Sequence, residues 1–298
     1  MGKELAALYP VARHTFQEAD EALGLALSKL CFEGPEDELK MTENTQPALL
    51  TMSTAAFRVL QEKGITAQFV AGHSLGEYSA HVAAGTIEFA DAVRVVKKRG
   101  RYMQEAVPAG QGAMAAILMM SFDDVQKVCV DAAQGEVVSP ANVNSPDQIV
   151  ISGAAAAVQR AADLAKERGA KRALMLPVSA PFHCALMQPA QDRLAVDLKA
   201  MHFDNPEIPV ISNIDAEAKT AAEPSRHALI RQVTGAVQWL GCVRKLIEMG
   251  ANTFLEVGPG KVLTGLMRQI DRNQTAMNVE DEASLQKVTG LFAGAAKE

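Results

Sequence analysis

Aromatic side chains are scarce: one Trp, three Tyr and ten Phe make up 5% of 298 residues. A surface that stacks unpaired bases needs more of them. The formal net charge of −6 offers phosphate backbones no general attraction. Nucleic acid is therefore not an expected partner. Cysteines are few and scattered; Cys31, Cys129, Cys184 and Cys242 form no C-x-x-C spacing. They read as reduced thiols in a cytoplasmic protein. No HExxH or EF-hand pattern occurs, so no metal is expected. Long apolar runs are missing too. The longest, Ala113 to Met120, is too short to span a membrane. The first residues carry Lys3 and Glu4 and show no secretory leader.

What is present is an apolar fraction of 48% against 21% charged residues, suited to a globular chain with a substantial core. Its organising stretch is Ala71-Gly72-His73-Ser74-Leu75-Gly76-Glu77. Ile65 to Ala71 reads as a buried strand, and Leu75 to Ala84 as an alanine-rich helix. A G-x-S-x-G pattern between strand and helix is the context of a nucleophile elbow, where a sharp bend exposes the serine hydroxyl. The alternative is an ordinary turn in which Ser74 caps the helix.

Elsewhere the periodicity places helices at Thr15 to Leu30, Pro47 to Lys63 and Phe89 to Ala106, and one long helix at Arg226 to Met249. In the Phe89 helix, Arg94, Lys97, Lys98 and Arg101 share one face. Ala92, Val95, Val96 and Met103 share the other, and Arg99 lies among them. An inward arginine must find an anion, because an unpaired buried charge is very costly. Periodicity leaves open whether that anion is a structural carboxylate or a substrate's. Residues 112 to 177 read β-α-β-β-α-β, a ferredoxin-like order.

Ser74 needs a base to act as a nucleophile at neutral pH. Of six histidines, His183 sits in a loop after a strand and follows the serine in chain order, as in hydrolase-like folds. A lone histidine is more commonly a structural one. Gly258-Pro259-Gly260-Lys261 fails as a phosphate loop, because Leu255 and Val262 stand where Gly and Ser or Thr belong.

Seven stretches together resemble the malonyl-CoA:acyl carrier protein transacylase family. They are Gly72-His73-Ser74-Leu75-Gly76-Glu77-Tyr78-Ser79, Arg99-Gly100 with Met103-Gln104-Glu105, Gly112-Ala113-Met114, Asn142-Val143-Asn144-Ser145-Pro146, Pro181-Phe182-His183, Val237-Gln238-Trp239 and Glu256-Val257-Gly258-Pro259-Gly260. The resemblance runs from Met1 to about Ile270. It implies an α/β-hydrolase-like core with a parallel sheet, formed by residues 1–106 and 179–298. A ferredoxin-like α+β subdomain, 107–178, is inserted in it. It implies that Ser74 is acylated and that His183 is general base, then general acid. The histidine would be held by a backbone carbonyl at Gln238. The Leu75 N–H would be an oxyanion donor, and Arg99 would clasp the malonyl carboxylate. Malonyl-CoA is then a substrate, acyl carrier protein the partner, and no cofactor or metal is needed.

Phe182 is similar to the residue found in malonyl-selecting members. The family's usual opening strand and Gly-Gln-Gly-Ser-Gln loop have no counterpart before Met1-Gly2-Lys3-Glu4-Leu5. The resemblance implies that a glutamine of that loop completes the oxyanion hole; its absence from the sequence fits either a shortened start or a genuine variant. One lost donor can cost about 100- to 1,000-fold in rate. A polyketide acyltransferase, a hydrolase on the same elbow, and a weakly active or non-catalytic carrier-binding variant remain as alternatives.

Overall fold

The structure is a computed structural model that describes residues 1–178 and 180–295. Ser179, where the sequence reading returns to the core, and residues 296–298 lie outside the described residues.

Its architecture is mixed α/β. The largest core is helical. Helix Thr42–Glu62 packs against Pro10–Leu23 on one side and Phe89–Glu105 on another, burying Phe16, Leu50, Met52, Val96 and Met103. Arg99 and Gly100 are both buried in the Phe89 helix. A glycine in mid-helix costs roughly 1 kcal/mol against alanine. Here a Cβ would lie 2.6 Å from Thr42 O and Glu43 Cα, so the two helices meet only because Gly100 has none.

Three small sheets surround this core. The strands are β1 (Val70–Ala71), β2 (Gly112–Leu118), β3 (Val138–Ser145), β4 (Gln148–Ala154), β5 (Arg172–Met175), β6 (Val210–Ile211), β7 (Ala218–Lys219), β8 (Thr253–Val257) and β9 (Thr275–Val279). β1 pairs in parallel with β6, which pairs antiparallel with β7. β8 and β9 form a parallel pair. The seven-residue strands β2 and β4, both largely buried, are the centre of an antiparallel sheet ordered β3-β4-β2-β5. Helices Phe122–Ala133 and Ala155–Glu167 cover it and bury Val125, Val128 and Val158 against Ile117, Ile149 and Ile151.

Four expectations change, the first being that the helix expected from Pro47 begins five residues earlier, at Thr42, with Pro47 inside it. The strand expected over Ile65 to Ala71 contracts to β1, because its partner β6 is itself only two residues long. The helix expected over Thr15 to Leu30 is two helices, Pro10–Leu23 and Leu27–Glu33, broken where Gly24 turns left-handed at φ 63°. The helix expected over Arg226 to Met249 also divides, into Ala222–Gln232 and Trp239–Glu248. In the gap, Val237 exchanges main-chain bonds with β3: its N–H donates to Ala141 O at 2.8 Å, and Val143 N–H donates to Val237 O at 2.9 Å. The four-stranded sheet is thereby joined to the larger body.

Candidate active site

The bend after β1 is tight for a definite reason. A Cβ on Gly72 would fall 2.0 Å from the carbonyl carbon and oxygen of Gly76, whereas one on Gly76 meets nothing within 4 Å. Ser74 occupies φ 52°, ψ −104°, which is strained for a residue with a side chain. Asn213, just after β6, holds the bend. Its Oδ1 accepts the Ser74 N–H at 2.7 Å and its Nδ2 donates to Gly72 O at 2.7 Å.

Ser74 precedes helix Leu75–Ala83, yet its side chain makes no capping bond. Its hydroxyl instead meets His183 Nε2 at 2.7 Å. It also accepts from Arg99 Nη2 at 3.1 Å. Leu75 opens the helix, so no preceding turn exists to take its N–H.

His183 is buried and itself lies at φ 59°. Its Nδ1 meets the Gln232 carbonyl at 2.9 Å. A carbonyl only accepts, so Nδ1 carries the proton and Nε2 presents a lone pair to Ser74. Burial, reinforced by the Arg99 charge, holds its pKa down to about 3, so the ring is neutral at ordinary pH. The sequence reading put this carbonyl at Gln238. The structure puts it at Gln232, because the expected long helix ends there. The last carbonyls of a helix have no partner within it, and that of Gln232 is free to face the imidazole. Gln238 instead donates its N–H to Asn213 O at 2.8 Å.

Arg99 is only 2% exposed. Its Nη1 donates to Gln46 Oε1 at 2.7 Å and its Nη2 to Gln232 Oε1 at 2.9 Å. Its Nε has no partner, and no carboxylate touches the guanidinium among the described residues. Burial depresses its pKa, an effect the Tyr78 hydroxyl and Glu77 partly oppose. The Gln232 amide nitrogen donates to Glu77 Oε2 at 2.7 Å and to Ser74 O at 2.9 Å. Glu77 Oε2 also accepts the Asn213 N–H at 3.0 Å. Beside Ser74, His73 turns to Asn144 Oδ1 at 2.8 Å.

This arrangement can perform acyl transfer. It has an oxygen whose proton faces a lone pair, a backbone N–H beside it, and a buried cation with no carboxylate in contact. Over residues 1–292 the chain matches the acyl transferase domain model. The malonyl CoA-acyl carrier protein transacylase of Escherichia coli K12 is 51% identical over 283 residues, 95% of this chain and 92% of that one. That of Bacillus subtilis is 49% identical over 287 residues, 96% and 90% of the two chains. The chain belongs to the malonyl CoA-acyl carrier protein transacylase family.

Solved members of the transacylase family share its fold. An acyl carrier protein S-malonyltransferase from Vibrio cholerae is 51% identical with TM-score 0.95, covering 97% of this chain and 94% of that one. A chain from the complex of a type II PKS acyl carrier protein with its malonyl-transacylase is 49% identical with TM-score 0.95, covering 97% and 94%.

Of the residues singled out in the transacylase sequence, Ser74, His183 and Arg99 share one cluster, and Leu75 adjoins it. Gln46, Glu77, Asn213 and Gln232 belong to the same cluster and were not singled out. Glu77 and Gln232 could have been suspected as polar residues within helical apolar stripes. Asn213 carried no such signal. The Gly258-Pro259-Gly260 turn is occupied from within the chain: Glu256 accepts the Leu263 and Thr264 N–H groups at 3.0 and 2.7 Å. Among the described residues, no group of three or more His, Cys, Asp or Glu is placed to hold a metal.

Proposed function

We propose that this protein transfers a malonyl group from malonyl-CoA to the phosphopantetheine thiol of acyl carrier protein, in fatty acid synthesis, through an acyl-Ser74 ester. The observation that carries this reading is the Ser74 hydroxyl, 2.7 Å from an imidazole lone pair and 3.1 Å from the buried Arg99 guanidinium.

In the first step the Ser74 oxygen attacks the thioester carbonyl and its proton passes to His183 Nε2. The oxyanion develops near the Leu75 N–H. The C–S bond then breaks, and His183 returns the proton to the leaving CoA thiolate. In the second step the carrier thiol gives its proton to His183 and attacks the ester. Ser74 leaves as the alkoxide and recovers that proton. The Gln232 carbonyl accepts from Nδ1 throughout and steadies the imidazolium as it forms. Arg99 pairs with the malonyl carboxylate, which would supply the anion its protein partners do not.

The parallel β1–β6 pair and the strained serine between strand and helix favour an α/β-hydrolase-like core, residues 1–106 and 179–298. The separate hydrophobic cluster under the β3-β4-β2-β5 sheet favours a ferredoxin-like subdomain over 107–178. Four unpaired, buried cysteines fit a cytoplasmic setting. No helix among the described residues is long and apolar enough to cross a membrane.

Incubation with malonyl-CoA followed by peptide mapping should find one malonyl group, on Ser74, which holo acyl carrier protein then removes. An unlabelled Ser74 would sink the reading. Free malonate released without transfer would point to a hydrolase. Arg99→Ala should weaken malonyl transfer and let acetyl-CoA compete. A polyketide carrier is the second acceptor to assay, since one similar structure contains such a carrier.

A further inference from the structure

The Gln232 side chain touches both the nucleophile's backbone and the buried cation, and its amide has a defined direction. Nε2 faces two acceptors, Glu77 Oε2 and Ser74 O, while Oε1 faces Arg99 Nη2. Reversing the amide would set oxygen against two oxygens and NH2 against a guanidinium. The acceptor that sets this direction sits one turn into the elbow helix. Glu77 is 0% exposed, and its Oε2 takes both the Gln232 and the Asn213 N–H groups. Its other oxygen has no partner. Ser74 O is a weaker guide, because it lies further from Nε2 and also receives the Glu77 N–H at 3.1 Å.

We propose that Glu77 is a positioning residue for substrate selection: by accepting from Gln232 Nε2 it turns Gln232 Oε1 toward Arg99 and fixes the guanidinium for the substrate carboxylate. This rests on the reading of Arg99 as the malonyl anchor. The role needs an acceptor at Oε2, which an amide oxygen supplies as well as a carboxyl oxygen. Glu77 never meets the reacting atoms. It acts through Gln232, and its effect falls on malonyl more than on an uncharged acyl group.

The test compares acyl-Ser74 formation from malonyl-CoA and acetyl-CoA in E77M, E77Q and R99A beside the unaltered protein. Removing a buried acceptor typically leaves its donor unsatisfied at a cost that corresponds to about tenfold or more. E77M is therefore expected to lower the malonyl-to-acetyl ratio by about tenfold or more, and E77Q to keep the ratio near that of the unaltered protein. If E77M does not fold, E77D is read instead, since one carbon–carbon bond withdraws the acceptor by about 1.5 Å. Parallel loss with both substrates, at an unchanged ratio, overturns the proposal. So does a ratio in E77Q as low as in E77M, since charge and not acceptor geometry would then be responsible. R99A separates the two layers. An unchanged ratio there removes the Arg99 reading itself. A collapsed ratio there with an intact one in E77M removes only the role of Glu77.

Discussion

The side-chain oxygen of Asn213 accepts the backbone N–H of Ser74 at 2.7 Å, across 139 positions of sequence. With its amide nitrogen on Gly72 O, Asn213 closes the strained bend from both sides. Backbone strain persists only where surrounding contacts over-determine it. Asn213→Ala removes both contacts and leaves two buried backbone groups without these partners. A loss of about 1–3 kcal/mol in stability is expected, with acyl-Ser74 formation slowed beyond what unfolding explains. Thermal melts beside intact-mass acylation kinetics check this; unchanged acylation in the folded fraction would contradict it.

The two glycines of the elbow should respond differently. Gly72→Ala forces a methyl into the Gly76 carbonyl at 2.0 Å, and backbone cannot swing aside as a side chain can. Loss of folding, or of acylation in whatever folds, is expected. Gly76→Ala meets open space and gains helix propensity of up to about 1 kcal/mol. It should melt at or above the parent temperature. Circular dichroism melts of the pair decide the matter.

His183 is held by a main-chain oxygen, so the identity of the side chain at that position matters only through its other bonds. Gln238→Ala should acylate at close to the parent rate. Gln232→Ala keeps the carbonyl but loses the amide bonds to Arg99, Glu77 and Ser74, and should slow malonyl transfer by about 10- to 100-fold. Steady-state assays with malonyl-CoA check this; a Gln232→Ala rate equal to that of Gln238→Ala would show that the Gln232 amide bonds carry no weight in the reaction.

His81 is fully buried, and neither ring nitrogen has a partner. Burial holds its pKa down to about 3. In the unfolded chain it takes a proton near pH 6.5. Between these values the unfolded state binds more protons, so stability falls as pH falls from 6.5 toward 3. By pH 5 the loss from this residue is about 2 kcal/mol. His81→Leu should recover that share and make the acid side of the melting-temperature profile shallower, though not flat, because His183 is also held down to about 3. Glu77 opposes the trend: burial raises it to about 7, so its contribution is largest below 4.5 and is lost as pH rises through 7. A variant as acid-sensitive as the parent would show that His81 is not the group responsible.

Local patterns were enough to find Ser74, because the G-x-S-x-G stretch lies between a strand and a helix. They also found the inward turn of Arg99, because helical period sets its side. Helix Phe122–Ala133 and the four strands around it were legible because their apolar spacing is regular and their turns are rich in Asn, Asp and Gly. Gln232 was hidden because its carbonyl is free only where a helix ends, and Val233 to Gln238 carry no strong breaker except Gly235. That ending is fixed by Val237 pairing with β3, far away in sequence. Asn213 was hidden for a similar reason, since its partners Gly72, Ser74 and Glu77 are neighbours only after β6 aligns with β1. Periodicity shows which way a residue points; it does not show what waits there.

The Val237 pairing ties two parts of the machinery to one short tether. Positions 233 to 236 are all that separate the oxygen steadying the imidazole from the seam with the four-stranded sheet. A tether that short has little slack, so any displacement of that sheet would be passed to the carbonyl that holds the imidazole. The place of the sheet and the register of the base are thus mechanically one setting, and an insertion in this tether would uncouple them.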